Sequence, residues 1–202
     1  MTLSDNYEHT DQELAWIDKI RQGDNAAFER LFKRYYLQLT RFSWRYVNSR
    51  AVAEELVQET FSEIWEERET INIDRSVRSW LYKAVKNRSL NYIKHQKVQQ
   101  KYDSRWMERK EADSTFDFEE KEHIERIRRQ VKIAIEELPE RSRMTYKLHR
   151  YDGLTYREIA DVMDVSVKTV ESQMSRTLRK LRDRLSHLLP LLVTAVMAAF
   201  GQ

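Results

Sequence analysis

Glu54, Glu55, Glu59 and Glu63 recur at about one helical turn, and clustered carboxylates are raw material for metal binding and acid–base catalysis. Helical spacing spreads these four over a broad outer surface, which is poor geometry for gripping one ion. A single E-x-x-H occurs, Glu120 to His123, whereas carboxylate-bridged di-iron bundles use two together with further glutamates. His9, His95, His123, His149 and His187 are scattered and read as surface residues. The chain has no cysteine, which removes thiolate nucleophiles, thiolate zinc sites and disulfides. The expectation is therefore no catalytic residue, no metal, no cofactor and no small-molecule substrate.

A different chemistry fits Tyr156 to Arg176, "YREIADVMDVSVKTVESQMSR". It reads as two short helices around a tight corner. Ala160 supplies the small residue at the crossing, Ile159, Met163, Val165 and Val170 the buried contacts, and Ser166 the cap of the second helix. The turn position usually wants glycine for left-handed backbone; here it is Asp164, a tolerant type. In the second helix Val167, Val170, Met174, Leu178, Leu181 and Leu185 form an inward stripe. Thr169, Ser172, Gln173, Arg176 and Lys180 face outward, where glutamine suits adenine, arginine suits guanine or phosphate, and hydroxyls are permissive. Residues 124–186 carry fifteen bases against ten acids, a surplus suited to a polyanion.

The first half offers a second charged surface. Between Glu54 and Glu69 the only base is Arg68, whereas Arg75 to Lys97 contains no acid at all. Two adjacent segments thus carry opposite fields, either as solvated faces that attract each other or as faces for different partners. Bases with Trp80 and Tyr82 nearby are the composition of a surface that holds unstacked single-stranded bases.

The elements that must position these residues are helical. Charged residues make up 34% of the 202, and there are only three Gly and two Pro. One stripe runs Phe28, Leu31, Phe32, Tyr35, Tyr36, Leu39, Phe42 and Tyr46, and a second runs Ala53, Leu56, Val57, Thr60, Phe61 and Ile64. A third helix from Val77 has Trp80, Leu81, Ala84 and Val85 as its inner face, with Lys83, Lys86, Asn87 and Arg88 outward. Acids accumulate and apolar periodicity fades from Val98 to His123, a linker that is part helical at most. Spacing resumes at Ile124, turns at Pro139 and again at Gly153, and Thr155 with Glu158 forms a capping box. The fold class is all-α: two small helical domains joined by an acidic linker.

"AEELVQETFSEIWEE", "SWLYKAVKNRSLNYIK", "ELPERSR" and "LTYREIADVMDVSVKTVESQMSRTLRKLR" together resemble the extracytoplasmic-function (ECF) sigma factors of the sigma-70 family. The resemblance covers roughly Ala15 to Leu185 in order. It implies region 2 at 15–97, a linker at 98–123, region 4 at 124–186 and an apolar tail at 187–202. It also implies docking on core RNA polymerase, on the β′ clamp through Glu55, Gln58, Glu59, Ser62 and Trp65, with the β subunit as a further contact. Asn72, Asp74, Ser76, Trp80, Lys83, Asn87, Arg88 and Asn91 match the segment that opens the downstream promoter element. Lys168, Thr169, Ser172, Gln173, Arg176 and Lys180 match the reader of the upstream element in duplex DNA.

The family's pattern is not followed everywhere. Many members have glycine where Asp164 stands and bases where Glu171 and Gln173 stand. The tail Leu188 to Phe200 is short of the roughly 20 residues of a membrane span. It either continues the last helix, breaks near Pro190 and packs on a domain or stays loose, or it offers a strip to an anti-sigma protein or a membrane surface. The N-terminus lacks the pattern of a secretory signal, so a cytoplasmic location is expected. The alternative function is a stand-alone helix-turn-helix regulator that binds duplex DNA as a dimer.

Overall fold

A computed structural model describes residues 3–73, 76–100 and 119–186, with side chains described for 12–73, 76–96 and 127–186. Asp74, most of the expected linker and the apolar tail lie outside the described residues. All regular structure among the described residues is helical: α1 (Leu3–Arg21), α2 (Asn25–Val47), α3 (Arg50–Glu66), α4 (Val77–Gln100), α5 (Glu119–Glu136), α6 (Glu140–Arg150), α7 (Tyr156–Met163) and α8 (Val167–Leu185). Contacts divide the chain into two compact units. One is Met1–Trp106 with Arg157–Asp164, and the other Met107–Tyr156 with Val165–Gln202.

In the first unit α2 is the central element. Gly23 takes a φ of +84°, and the Asp24 carboxylate caps the helix by accepting from the Ala26 and Ala27 amides at 2.8 and 3.1 Å. Leu31, Tyr35, Leu39 and Phe42 are buried along one face of α2. They form a common core with Ala53, Leu56, Val57, Phe61 and Ile64 of α3 and Val77, Leu81, Tyr82 and Val85 of α4. Each fully buried side chain of this kind contributes about 1.5–3 kcal/mol. Asn48, left-handed at φ +52°, ends α2, and Ser49 caps α3, so the chain reverses over two residues. Ser43 and Ser89, both fully buried, hydrogen-bond at 2.9 Å where α2 and α4 meet, and their small size lets the two backbones approach.

The inner face of α4 differs from the expected one. Tyr82 is fully buried, its ring 4.9 Å from that of Phe42, so it belongs to the core and not to a base-stacking surface. Trp80 and Ala84 are half-buried. Lys86, expected to point outward, is 8% exposed: its ammonium donates to the Val162 carbonyl at 2.6 Å and to Asp164 at 2.7 Å. Apolar periodicity alone cannot anticipate a lysine that turns inward to a specific acceptor.

Helix α1 carries a weak apolar pattern in sequence, yet Ile17 and Ile20 are buried and Glu13 is 5% exposed. The Tyr35 hydroxyl donates to the Glu13 carboxylate at 2.5 Å, and Arg34 Nε donates to it at 2.9 Å. Burial first, and the Glu13 charge second, push the Tyr35 phenol far above its ordinary range, so it remains a donor. Arg21, at the end of α1, donates its Nε to the Ile71 carbonyl at 3.0 Å and thereby anchors the loop before α4.

The second unit buries Ala134, Ile135, Leu138 and Leu181, with Val131, Tyr146 and Leu185 packed against them. Gly153 takes φ +70° in the turn after α6, and Leu154 is fully buried beside it. Two members of the expected inward stripe of α8 are exposed instead: Val167 at 36% and Leu178 at 45%. Thr177, which is not part of that stripe, is buried.

Replacing Tyr35 by Phe leaves the buried Glu13 carboxylate short of a donor. The expected loss is about 1–3 kcal/mol, read as a lower urea midpoint with an unchanged slope.

Candidate nucleic-acid interface

Helix α3 turns one face to the core and the other to solvent. Glu55, Gln58, Glu59 and Ser62 are exposed, and Trp65 is half-buried. Phe28 lies 5.1 Å from the Trp65 ring and the Arg68 guanidinium 4.9 Å from it, so the indole is held from two sides. Gln58 reaches the Tyr36 hydroxyl at 3.5 Å. The expected acidic face therefore exists as a surface of α3.

Helix α4 lies beside it, and the two opposite fields meet. Arg88 is the junction: it donates to Glu59 at 2.9 Å and pairs with Glu63 as well. These carboxylates are about half exposed, so solvent screens the pairing and its contribution to stability is small. Its effect is positional, since one guanidinium spans the expected polymerase face and the expected DNA face. Asn87 and Asn91 are exposed alongside, and Asn72 is exposed in the loop before α4. A cleft of about 410 Å³ between α3 and α4 is lined by Thr60, Ile71, Trp80, Lys83 and Asn87 among others. Three of the expected strand contacts, Trp80, Lys83 and Asn87, thus border one concavity.

One further expected contact, Ser76, and Lys83 again are engaged within the same unit by α7 and by the residue that follows it. Ser76 donates to Glu158 at 2.7 Å, and Lys83 pairs with Asp164 at 2.5 Å. Arg78 makes a two-point contact with the Glu158 carboxylate, at 3.1 and 2.8 Å. Burial alone would lower the Arg78 pKa; the Glu158 charge and hydrogen bonds outweigh it, and the guanidinium stays charged. Glu158, read as half of a capping box, is 9% exposed and serves this ion pair. Arg78 and Lys86 escaped the site reading because nothing in their spacing marks a partner eighty residues away.

In the second unit, Ser166 caps α8: its hydroxyl accepts from the Thr169 amide at 3.1 Å and lies 2.8 Å from the Thr169 hydroxyl. Lys168, Arg176 and Lys180 are exposed, and Thr169 and Ser172 half-buried. Arg176 donates to the Ser172 hydroxyl at 2.7 Å, one turn back, which holds its guanidinium against the helix. Gln173 departs from the expected outward set. Its Oε1 lies 2.9 Å from the hydroxyl of Thr145, a residue 1% exposed on α6. Gln173 is half-buried and ties α8 to α6.

Comparison with known proteins gives this arrangement its class. The family model described as Sigma-70 region 2 matches residues 31–98, and the one described as Sigma-70, region 4, matches residues 128–181. The first match takes in most of α2 with α3 and α4, and the second runs from α5 to α8, so the fold is that of a sigma-70 family factor. Within that family, the chain belongs to the ECF group. The ECF RNA polymerase sigma-E factor of Escherichia coli (strain K12) is 33% identical over 174 residues, covering 83% of this chain and 90% of that one. The sigma-E factor of Haemophilus influenzae is 29% identical over 191 residues, covering 89% and 97%.

Among solved structures, CnrH in complex with the cytosolic domain of CnrY matches with a TM-score of 0.58 and 22% identity, over 87% of this chain and 98% of that one. The sigma factor RpoE in complex with the anti-sigma factor NepR from Bartonella quintana matches with a TM-score of 0.58 and 19% identity, over 79% and 96%. Both support the fold. The sigma family is a non-enzymatic transcription initiation family. No helix among the described residues is long and apolar enough to cross a membrane.

Gln173→Ala removes one of two acceptors within reach of the buried Thr145 hydroxyl, which keeps the Arg141 carbonyl at 2.9 Å, and with it the tie from α8 to α6. The expected destabilisation is about 0.5–1.5 kcal/mol in chemical denaturation, a cost that a residue merely facing DNA would not show.

Proposed function

We propose that this ECF sigma factor divides initiation among three surfaces. The observation that carries the reading is the exposed acidic face of α3, set directly beside the bases and asparagines of α4. An anionic surface repels DNA and attracts a basic partner, so Glu55, Gln58, Glu59, Ser62 and Trp65 serve as the dock for core RNA polymerase. Trp80, Lys83, Asn87 and Asn91, at the adjoining cleft and beyond it, hold the melted downstream strand, together with Asn72, Asp74 and Ser76 from the loop. Arg88 serves whichever of the two surfaces is engaged.

Extruding a base from the stack costs a few kcal/mol, which stacking and polar contacts in the cleft must offset. Nothing in that step requires bond chemistry, and the chain acts without catalytic residues or a cofactor. Lys168, Thr169, Ser172 and Arg176 meet the upstream element as duplex, with Lys180 on phosphate. Gln173, already bound to Thr145, is withdrawn from that set.

The functional domains follow as region 2 at 15–97, a linker at 98–123, region 4 at 124–186 and a tail from 187. Two of the similar structures are complexes with the cytosolic domain of CnrY and with the anti-sigma factor NepR, which supports an anti-sigma partner for this chain too. Its place of action is the cytoplasm, where polymerase and promoter are found.

Glu55→Lys with Glu59→Lys inverts the docking face. Loss of core polymerase in a pull-down is the expected outcome, and unchanged association would refute the dock. Trp80→Ala should impair opening more than recruitment: transcription falls on duplex promoter and recovers on a pre-melted template of the same sequence.

A further inference from the structure

Asp164 occupies the turn between α7 and α8 in left-handed backbone, at φ +54°. Glycine would take that conformation without strain, so aspartate there calls for a reason. Within the first unit its carboxylate receives two ammonium groups from α4, Lys83 at 2.5 Å on one oxygen and Lys86 at 2.7 Å on the other. Lys86 also donates to the Val162 carbonyl, in the last turn of α7, where the helix dipole is negative. Hydrogen bonds from Lys83, then from Lys86, hold the Asp164 carboxyl below its ordinary range, so it is an anion at neutral pH.

Two lysines one helical turn apart, converging on the two oxygens of one anion, have the form of a phosphate site. Both lysines belong to α4, the proposed strand-holding helix, and Lys83 lines the cleft shared with Trp80 and Asn87. We propose that Lys83 and Lys86 form a binding site for one phosphodiester of the melted promoter strand, and that Asp164 fills this site as an internal stand-in until DNA displaces it. Lys86 thereby becomes a strand contact alongside Lys83. This inference rests on the assignment of α4 as the strand-holding helix.

The arrangement has a functional consequence. A carboxylate already seated on the two lysines lowers the affinity of the free chain for nucleic acid, because a phosphate must compete for both ammonium groups. Strand binding and release of the turn from α4 are then one event.

The test uses the full chain with a fluorescein-labelled single-stranded DNA of mixed sequence, about 12 nucleotides long, a length within the usual site sizes. Asn tolerates the left-handed turn and keeps the side-chain volume, so Asp164→Asn removes the charge with little strain. The variant is expected to bind the oligonucleotide roughly 3- to 10-fold more tightly in fluorescence anisotropy, and to show a steeper salt dependence by about 0.7 for each added phosphate contact. Adding Lys83→Ala and Lys86→Ala to Asp164→Asn should erase the gain. Equal affinity and equal salt slope for wild type and Asp164→Asn would overturn the proposal, as would a gain that survives removal of both lysines. A parallel pull-down with core polymerase separates the two readings. If polymerase binds but the gain is absent, the stand-in fails and the initiation role stands; if the gain appears without polymerase binding, the reverse holds.

Discussion

The apolar face of α2 is the constraint from which both charged surfaces of the first unit follow. Leu31, Tyr35, Leu39 and Phe42 must be covered, and α3 and α4 cover them with Leu56, Phe61, Leu81 and Val85. Each covering helix then has a fixed inner side, and most of its remaining residues face outward, Arg78 and Lys86 of α4 being taken up by Glu158 and Asp164 instead. In α3 those residues are acids, and in α4 they are bases and asparagines. The two helices also touch each other, so opposite fields adjoin by necessity. Polarity on these surfaces is therefore a by-product of core packing as well as a means of recognition.

Adjacency has an electrostatic price that the molecule manages through Arg88. Were α4 to carry only bases beside an acidic α3, the two faces would neutralise one another and neither would attract a distant partner. Arg88 takes up Glu59 and Glu63, while Glu55 is exposed one turn away. The pairing is solvent-screened, so a stronger partner for either side can displace it at small cost.

Much of this was legible in the sequence where burial has a period. The stripes of α2 and α3, the cap at Ser166, the left-handed Asp164 and the turn at Gly153 all follow from local chemistry, and the structure has each of them. What escaped depends on contacts between residues far apart. Tyr82 looked like a stacking residue because it sits among bases, yet the ring of Phe42 defines its place. Lys86 looked exposed and Glu158 looked like half of a capping box, but each finds an opposite charge that offsets desolvation. Helix α1 was missed since its buried glutamate breaks the apolar pattern, and only Tyr35 and Arg34 explain why that glutamate is tolerated.

The same reasoning bears on the departures from the family pattern. Asp164 is costly as turn chemistry and favourable as a ligand for two lysines, so its local disadvantage and its long-range advantage are properties of one carboxylate. Gln173 is likewise poor evidence of altered promoter reading, because its amide is committed to Thr145 and a base at that position would forfeit the tie to α6. Glu171 is different: it is exposed on α8, close in sequence to Ser172 and Arg176, and its charge opposes phosphate. On the proposed reading of α8 it alone of the three departures would weaken a duplex contact, while the exposed bases further along the helix, Arg179, Lys180 and Arg182, keep the net charge of that helix positive.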